Sequence, residues 1–152
     1  MSLLRGLVGV LVGLAVASGF VQVLELMLAN ALAGRALQSL DDYALVLNTL
    51  PVLGMRLVVW SFMALLGGYL CAKLAEHDEM RYTLIAVIFR ASALVGGNAA
   101  GYMPRTPAWA LAVMLVVSSA AMLAGGAVRA AAAAAAAHTG DPVRHPVAGE
   151  KS

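Results

Sequence analysis

Four apolar runs, each long enough to cross about 30 Å of hydrocarbon, constrain this chain more than any motif in it. They cover about Leu7 to Leu28, Val52 to Leu74, Tyr82 to Gly101 and Ala108 to Val128. In lipid, backbone N–H and C=O groups must be satisfied within the protein, which leaves helices or a closed barrel. None of the runs alternates with period two, so helix is the reading that remains. Composition agrees. The chain is 62% hydrophobic and 12% charged, where a soluble domain carries about 25% charged residues. One core of 152 residues cannot hide that much apolar surface, so most of it faces lipid.

The expected fold is all-α: a four-transmembrane-helix bundle made of two helical hairpins, with a short interfacial helix between helices 1 and 2. An alternative for the N-terminus is a cleaved signal, since Ala15 and Ala17 form an A-x-A pattern behind Arg5. Apolar residues continue past that pattern to Leu28, which favours an intact first span. The transmembrane domain then covers 1–138, and 139–152, with Gly140, Pro142, Pro146 and mixed charges, forms a disordered cytoplasmic tail. Between them the alanine run 130–137 extends the last helix, alanine being the best helix former. In the first connection Ser39 and Asp42 fit a capping box, and Leu40, Tyr43, Ala44 and Leu47 recur at helical spacing. Pro51 is expected to end that short helix, and Pro104 and Pro107 to end one span and start the next. Six basic residues at one set of span ends (Arg5, Lys73, Arg81, Arg129, Arg144, Lys151) face three at the other (Arg35, Arg56, Arg105). That bias places both termini in the cytoplasm.

Small residues set which faces meet, because helices in lipid associate by close packing. Gly6, Gly9, Gly13 and Ala17 fall within about 80° of arc, and Gly9–Gly13 is a G-x-x-x-G. Ser18, Gln22 and Glu25 form a polar stripe nearly opposite, so the first helix is expected between neighbours or inside an oligomer. "ALLGGYLCAKLA" (64–75) and "AMLAGGAVRAAA" (121–132) hint at a repeated hairpin, each placing a glycine pair (Gly67 and Gly68, Gly125 and Gly126) just before a basic residue. Gly97 lies on the small stripe of the third span.

Arg90 sits in the middle of that third span. Insertion of an arginine there costs about 2.5–3.5 kcal/mol, and its stripe, Thr83, Ala86, Leu94, Gly97 and Gly101, marks a packing face. Glu25 is the one acid well inside a span. Its depth matches Arg56 better than Arg90, which lies about 12 Å deep by helical rise; a tilted first helix would reach Arg90. Either way two arginines share one carboxylate. The surplus charge calls for a carbonyl, a water-filled pocket, a lipid phosphate or an acid from another subunit. Gln22, Glu25, Arg56, Arg90 and Asn98 thus form a candidate buried polar and charge network. It either holds the helices in register, the reading the residues favour, or lines a path for a proton or small anion. Trp60 reads as a packing residue, Tyr102 and Trp109 as interfacial anchors.

Several classes are excluded. A net charge of +2 with basic residues scattered along the chain does not point to nucleic acid. Cys71 is the single cysteine, and His77, His138 and His145 all lie outside the spans, so neither a disulfide nor a bis-imidazole haem is expected. No catalytic motif is present, and the expectation is a non-enzyme without cofactor or metal. The stretch "GGYLCAKLAEHDEMRYTLIAVIF", with Pro51 before it and P-x-W at Pro107–Trp109 after it, resembles small uncharacterised four-helix membrane proteins of bacteria. The resemblance implies architecture and a multi-pass place in the bacterial inner membrane. Small multidrug exporters also have four spans and a carboxylate in the first, but "VLELML" lacks their flanking pattern and Arg90 would oppose a cation. The expectation is a structural or accessory subunit acting through helix–helix contacts, in a lipid bilayer, as a homo-oligomer or in a larger complex. The alternative is a minimal oligomeric transporter or channel for a proton or small anion using Glu25, Arg56 and Arg90.

Overall fold

The computed structural model describes residues 2–34, 37–75, 78–101 and 106–139. They form α1 (Ser2–Leu14), a π-helical turn (Ala15–Gly19), α2 (Phe20–Ala33), α3 (Leu40–Leu47), α4 (Leu50–Ala75), α5 (Glu79–Ala99) and α6 (Ala108–Thr139). With the π turn, α1 and α2 make one continuous span. Four helices are long and apolar enough to cross a membrane: 3–33, 50–75, 79–99 and 108–136. Their outward faces are apolar along their length, for instance Leu4, Leu11, Val58, Phe62, Ile88, Phe89 and Val116. A surface of that kind fits a multi-pass membrane protein and would be a large exposed patch in water. The expectations for the 140–152 tail and for Arg35, His77, Tyr102, Pro104 and Arg105 lie outside the described residues.

Local chemistry sets the element boundaries. Gly34 adopts φ 61° and closes α2, the left-handed position that glycine takes without a Cβ clash. Ser39 caps α3 by accepting from the Asp42 amide at 3.1 Å, and Asp41 and Asp42 complement the positive helix start. α3 then ends at Leu47, ahead of Pro51, which sits in the first turn of α4. There its missing N–H is one of the donors no helix satisfies. Pro51 therefore starts the second span and does not terminate the short helix.

The core is centred on α4, which touches every other element. Its most extensive contacts are with the first span and, equally, with α6, the fourth span. The contact pattern does not single out two hairpins. Consecutive residues on a helix point about 100° apart, so each glycine pair serves two partners. A Cβ on Gly67 would lie 2.6 Å from the Gly13 carbonyl oxygen, and one on Gly13 would lie 2.7 Å from that of Gly67. Gly68 turns the other way, where its Cβ would fall 1.9 Å from the Met122 carbonyl oxygen. Gly125 meets the Leu65 carbonyl oxygen at 2.0 Å by the same measure, and Gly126 meets Thr83. The Gly68–Met122 and Gly125–Leu65 contacts are reciprocal: each glycine faces the carbonyl three residues before the other. The repeat in the two sequences thus packs on its own copy. Gly9 approaches the Cys71 carbonyl, and Gly97 is half-buried.

The π turn corrects one expectation about the first span. In a straight helix Glu25 would lie nearly opposite Gly9 and Gly13. A π turn inserts about one extra residue and rotates α2 back by roughly 100° relative to α1. Gly13, Ala17, Val21 and Ala29 are all buried, and Glu25 falls in the same series at spacing four. The small face and Glu25 both turn toward α4, while Gln22 stays exposed.

Candidate functional site: two guanidiniums and a carboxylate around Trp60

Glu25 on α2 accepts from Arg56 Nε at 2.6 Å and from Trp60 Nε1 at 2.5 Å, both through the same Oε1. Arg56 and Trp60 are one turn apart on α4, a spacing that stacks side chains on one face. The ion pair is removed from solvent: Arg56 is 5% and Glu25 14% exposed. Both arginines lie over the Trp60 ring, with the guanidinium carbon of Arg56 6.0 Å and that of Arg90 5.2 Å from its centroid. An indole face attracts cations, more strongly when they are desolvated. Arg90, on α5, donates from Nη1 to Ser118 Oγ on α6 at 2.6 Å. Elements from all four spans therefore converge on one tryptophan.

The depth match that favoured Glu25–Arg56 over Glu25–Arg90 is the pairing observed. Within the chain, Arg90 takes a hydroxyl and an aromatic face, neither of them expected. Sequence reasoning missed both. Ser118 is one of two serines in an otherwise apolar run, and Trp60 stands four residues after Arg56 (those were the available signals). Trp60 also packs with Val21, Leu94 and Met114, but packing does not exhaust its role.

Among the described residues, Arg56 Nη1 and Arg90 Nε are buried without a hydrogen-bond partner. Buried guanidinium donors left unpaired cost more than ordinary polar groups. Both side chains border cavities, although the unpaired atoms themselves are closed off from accessible space. Arg56, Glu25 and Trp60 line a cavity of about 310 Å³ together with Gln22, Tyr43 and Asn98. Arg90 lines a second cavity of about 40 Å³ with Ser18, and Gln22, Trp60 and Leu94 border both. The larger cavity lies at the α3 end of the bundle. There Asn30 bridges α2 to the following loop by accepting from the Leu37 amide at 3.3 Å and donating to Tyr43 Oη at 3.4 Å. Asn98 accepts from the Thr106 amide at 3.4 Å. Gln22, Glu25, Arg56 and Asn98 are thus brought to one cavity, with Arg90 one ring away. The glycines of the packing interfaces are not part of it. The opposite end of the bundle carries a looser ion pair, Arg129 to Glu79 at 3.9 Å.

Chemically the cluster has one carboxylate for two guanidiniums, and the described residues hold no group of three or more metal-ligating side chains. The class this defines is a helical bundle of four membrane-length spans with a buried Glu–Arg pair at a largely apolar cavity and a second buried arginine beside it. No family model, curated protein or solved structure matches the chain, so the resemblance carried by the 67–89 stretch extends to architecture alone.

Proposed function

We propose that this protein moves or holds a small anion in the membrane, with Arg56 and Arg90 as the binding charges and Glu25 and Trp60 as the groups that position them. The observation that carries the reading is the pair of buried guanidiniums, each with an unpaired N–H group, set around one carboxylate, with Arg56 lining a cavity of ligand size, about 310 Å³, and Arg90 a much smaller one of about 40 Å³. Uncompensated ionisable groups inside membrane spans are functional candidates by default. With both termini in the cytoplasm, as the basic-residue bias favours, the larger cavity opens toward the outside and the smaller one lies deeper. An anion entering at Arg56 would meet Arg90 across Trp60. The site is built within one chain, and passage across the whole bilayer then needs a second conformation or a second copy.

The structural reading has its own support. Glu25–Arg56 ties the first span to the second, and Arg90–Ser118 ties the third to the fourth, so the same charges fasten the bundle. Purified protein reconstituted in liposomes separates the two. Flux of chloride, acetate or hexanoate that Arg90→Leu abolishes, in a variant that still elutes as wild type in detergent, supports anion passage. An unchanged, protein-independent leak together with a loss of thermal stability supports a fastening role.

A further inference from the structure

We infer that Glu25 sets the valence of the ligand, so that the larger cavity accepts a monoanionic head on an apolar body and discriminates against dianions. The inference rests on the anion-binding reading above and deepens it.

Charge counting comes first. Arg56 and Arg90 bring two positive charges to Trp60, and Glu25 offsets one of them through its bond to Arg56. The other groups named at the two cavities, Gln22, Tyr43, Asn98 and Ser18, are uncharged at neutral pH. The cluster therefore carries a surplus of a single positive charge, which one monoanion neutralises. A dianion would leave a buried net negative charge, and low dielectric makes such an imbalance costly. Were Glu25 absent, the surplus would be two, and the same cavity would match a dianion.

Shape and surface come second. A cavity of about 310 Å³ is near the small end for ligand sites, roughly 300–1,000 Å³. It holds roughly ten water volumes, enough for a short acid and too little for a large solute. Glu25 and Trp60 stand beside Arg56, while Leu26, Leu40, Leu47, Leu94 and Leu111 form much of the remaining wall. Polar and apolar walls in one site select an amphipathic ligand, head toward the guanidinium and body toward the leucines. Arg56 lines this cavity, and its Nη1 is unpaired but closed off from accessible space, in a side chain only 5% exposed. A guanidinium whose Nε is held by Glu25 can turn that second N–H group to an entering carboxylate or phosphate. The head could belong to a free carboxylate or to a phosphodiester headgroup of a lipid, which share the single charge and the apolar body.

Hexanoate and adipate test this, being six-carbon acids with one and two charges at neutral pH. Equilibrium dialysis of the full-length protein in detergent should show wild type binding hexanoate about tenfold or more tighter than adipate, the size of a modest unbalanced charge. Glu25→Gln should shift that ratio toward adipate by at least tenfold. Arg90→Gln should remove the preference for charge, so that hexanamide competes with hexanoate as well as adipate does. This second variant serves if Glu25→Gln does not yield folded protein, and the wild-type ratio needs no variant. Equal affinities in wild type, or a ratio unmoved by both substitutions, overturn the valence rule while leaving an anion site standing. Absence of any anion binding by wild type overturns the functional reading itself. Repeating the titration in nanodiscs of phosphatidylcholine with and without phosphatidylglycerol identifies the source of the head. Weakened hexanoate binding in the anionic discs assigns it to a lipid phosphate and unchanged binding to a free carboxylate; both support the single-charge rule.

Discussion

Substituting Gly68 by alanine tests the packing argument where its geometry is least forgiving. The added Cβ would stand 1.9 Å from the Met122 carbonyl oxygen, against an ordinary carbon–oxygen contact of about 3.3 Å. Backbone sits on both sides of the contact, so no rotamer change relieves it and α4 and α6 must part by about 1.4 Å locally. A gap of even 0.5–1 Å forfeits a quarter to a half of the attraction between facing atoms. Overpacking costs about 1–3 kcal/mol, and the upper end applies here because one of the two most extensive helix contacts in the bundle is disturbed. Alanine in place of helical glycine returns about 1 kcal/mol. The expected net loss is about 2 kcal/mol, and Gly125→Ala, at 2.0 Å from the Leu65 carbonyl oxygen, should match it. At Gly54 and Gly96 an added methyl would have no atom within 4 Å, so alanine there should be neutral or stabilising by up to about 1 kcal/mol. SDS-titrated unfolding of the purified protein in mixed micelles, followed by circular dichroism, gives the comparison. If Gly68→Ala proves as stable as Gly54→Ala, the close approach of α4 and α6 is wrong.

Other perturbations address the cluster. Ser118→Ala removes the hydroxyl that accepts from Arg90 and should cost about 1.5–3 kcal/mol, with a double-mutant cycle against Arg90→Leu showing coupling above about 0.5 kcal/mol. Glu25→Ala leaves Arg56 buried without its counter-charge and should cost about 3–5 kcal/mol, whereas the exchange Glu25→Arg with Arg56→Glu should recover part of that loss in the same unfolding assay. Deleting Val16 removes the extra residue, so the turn can close as ordinary α-helix with the following segment still facing α4; Glu25 should keep Arg56, and the loss of stability should be well below that of Glu25→Ala. Adding one alanine after Gly19 instead rotates the following helix by about 100°, and its loss should match that of Glu25→Ala. Ser39→Ala removes the α3 cap at a cost of about 1 kcal/mol, visible as faster amide exchange in 40–47 and not in α4.

Much of this architecture was legible because lipid imposes a strict rule. Long apolar runs must become helices, and capping chemistry at Ser39 and glycine pairing near Lys73 and Arg129 left readable marks. The pairing of Glu25 with Arg56 followed from depth alone. What escaped was anything that depends on rotation about a helix axis or on distant partners. The stretch Ala15–Gly19 contains small residues suited equally to an ordinary helix, so nothing in it announces a π turn, yet that turn decides where Glu25 points. Ser118 and Arg90 lie in different spans, and only the packing of α5 on α6 joins them. Trp60 looked like filler because its N–H partner stands on another helix.

The pairing of the second span with the fourth has a consequence for how the chain is made. Synthesis delivers the spans in order, and Glu25 meets Arg56 as soon as the second one emerges. Arg90 enters next, while the hydroxyl it needs is still 28 residues away in a segment that has not yet entered the membrane. Until that segment arrives, the third span holds a charge worth about 2.5–3.5 kcal/mol of insertion penalty, and the glycine seam of α4 lies open to lipid. The last helix acts as a clasp, sealing the seam and sheltering the arginine in one event, so a nascent chain halted before Ser118 is left exposed to the membrane's quality-control proteases.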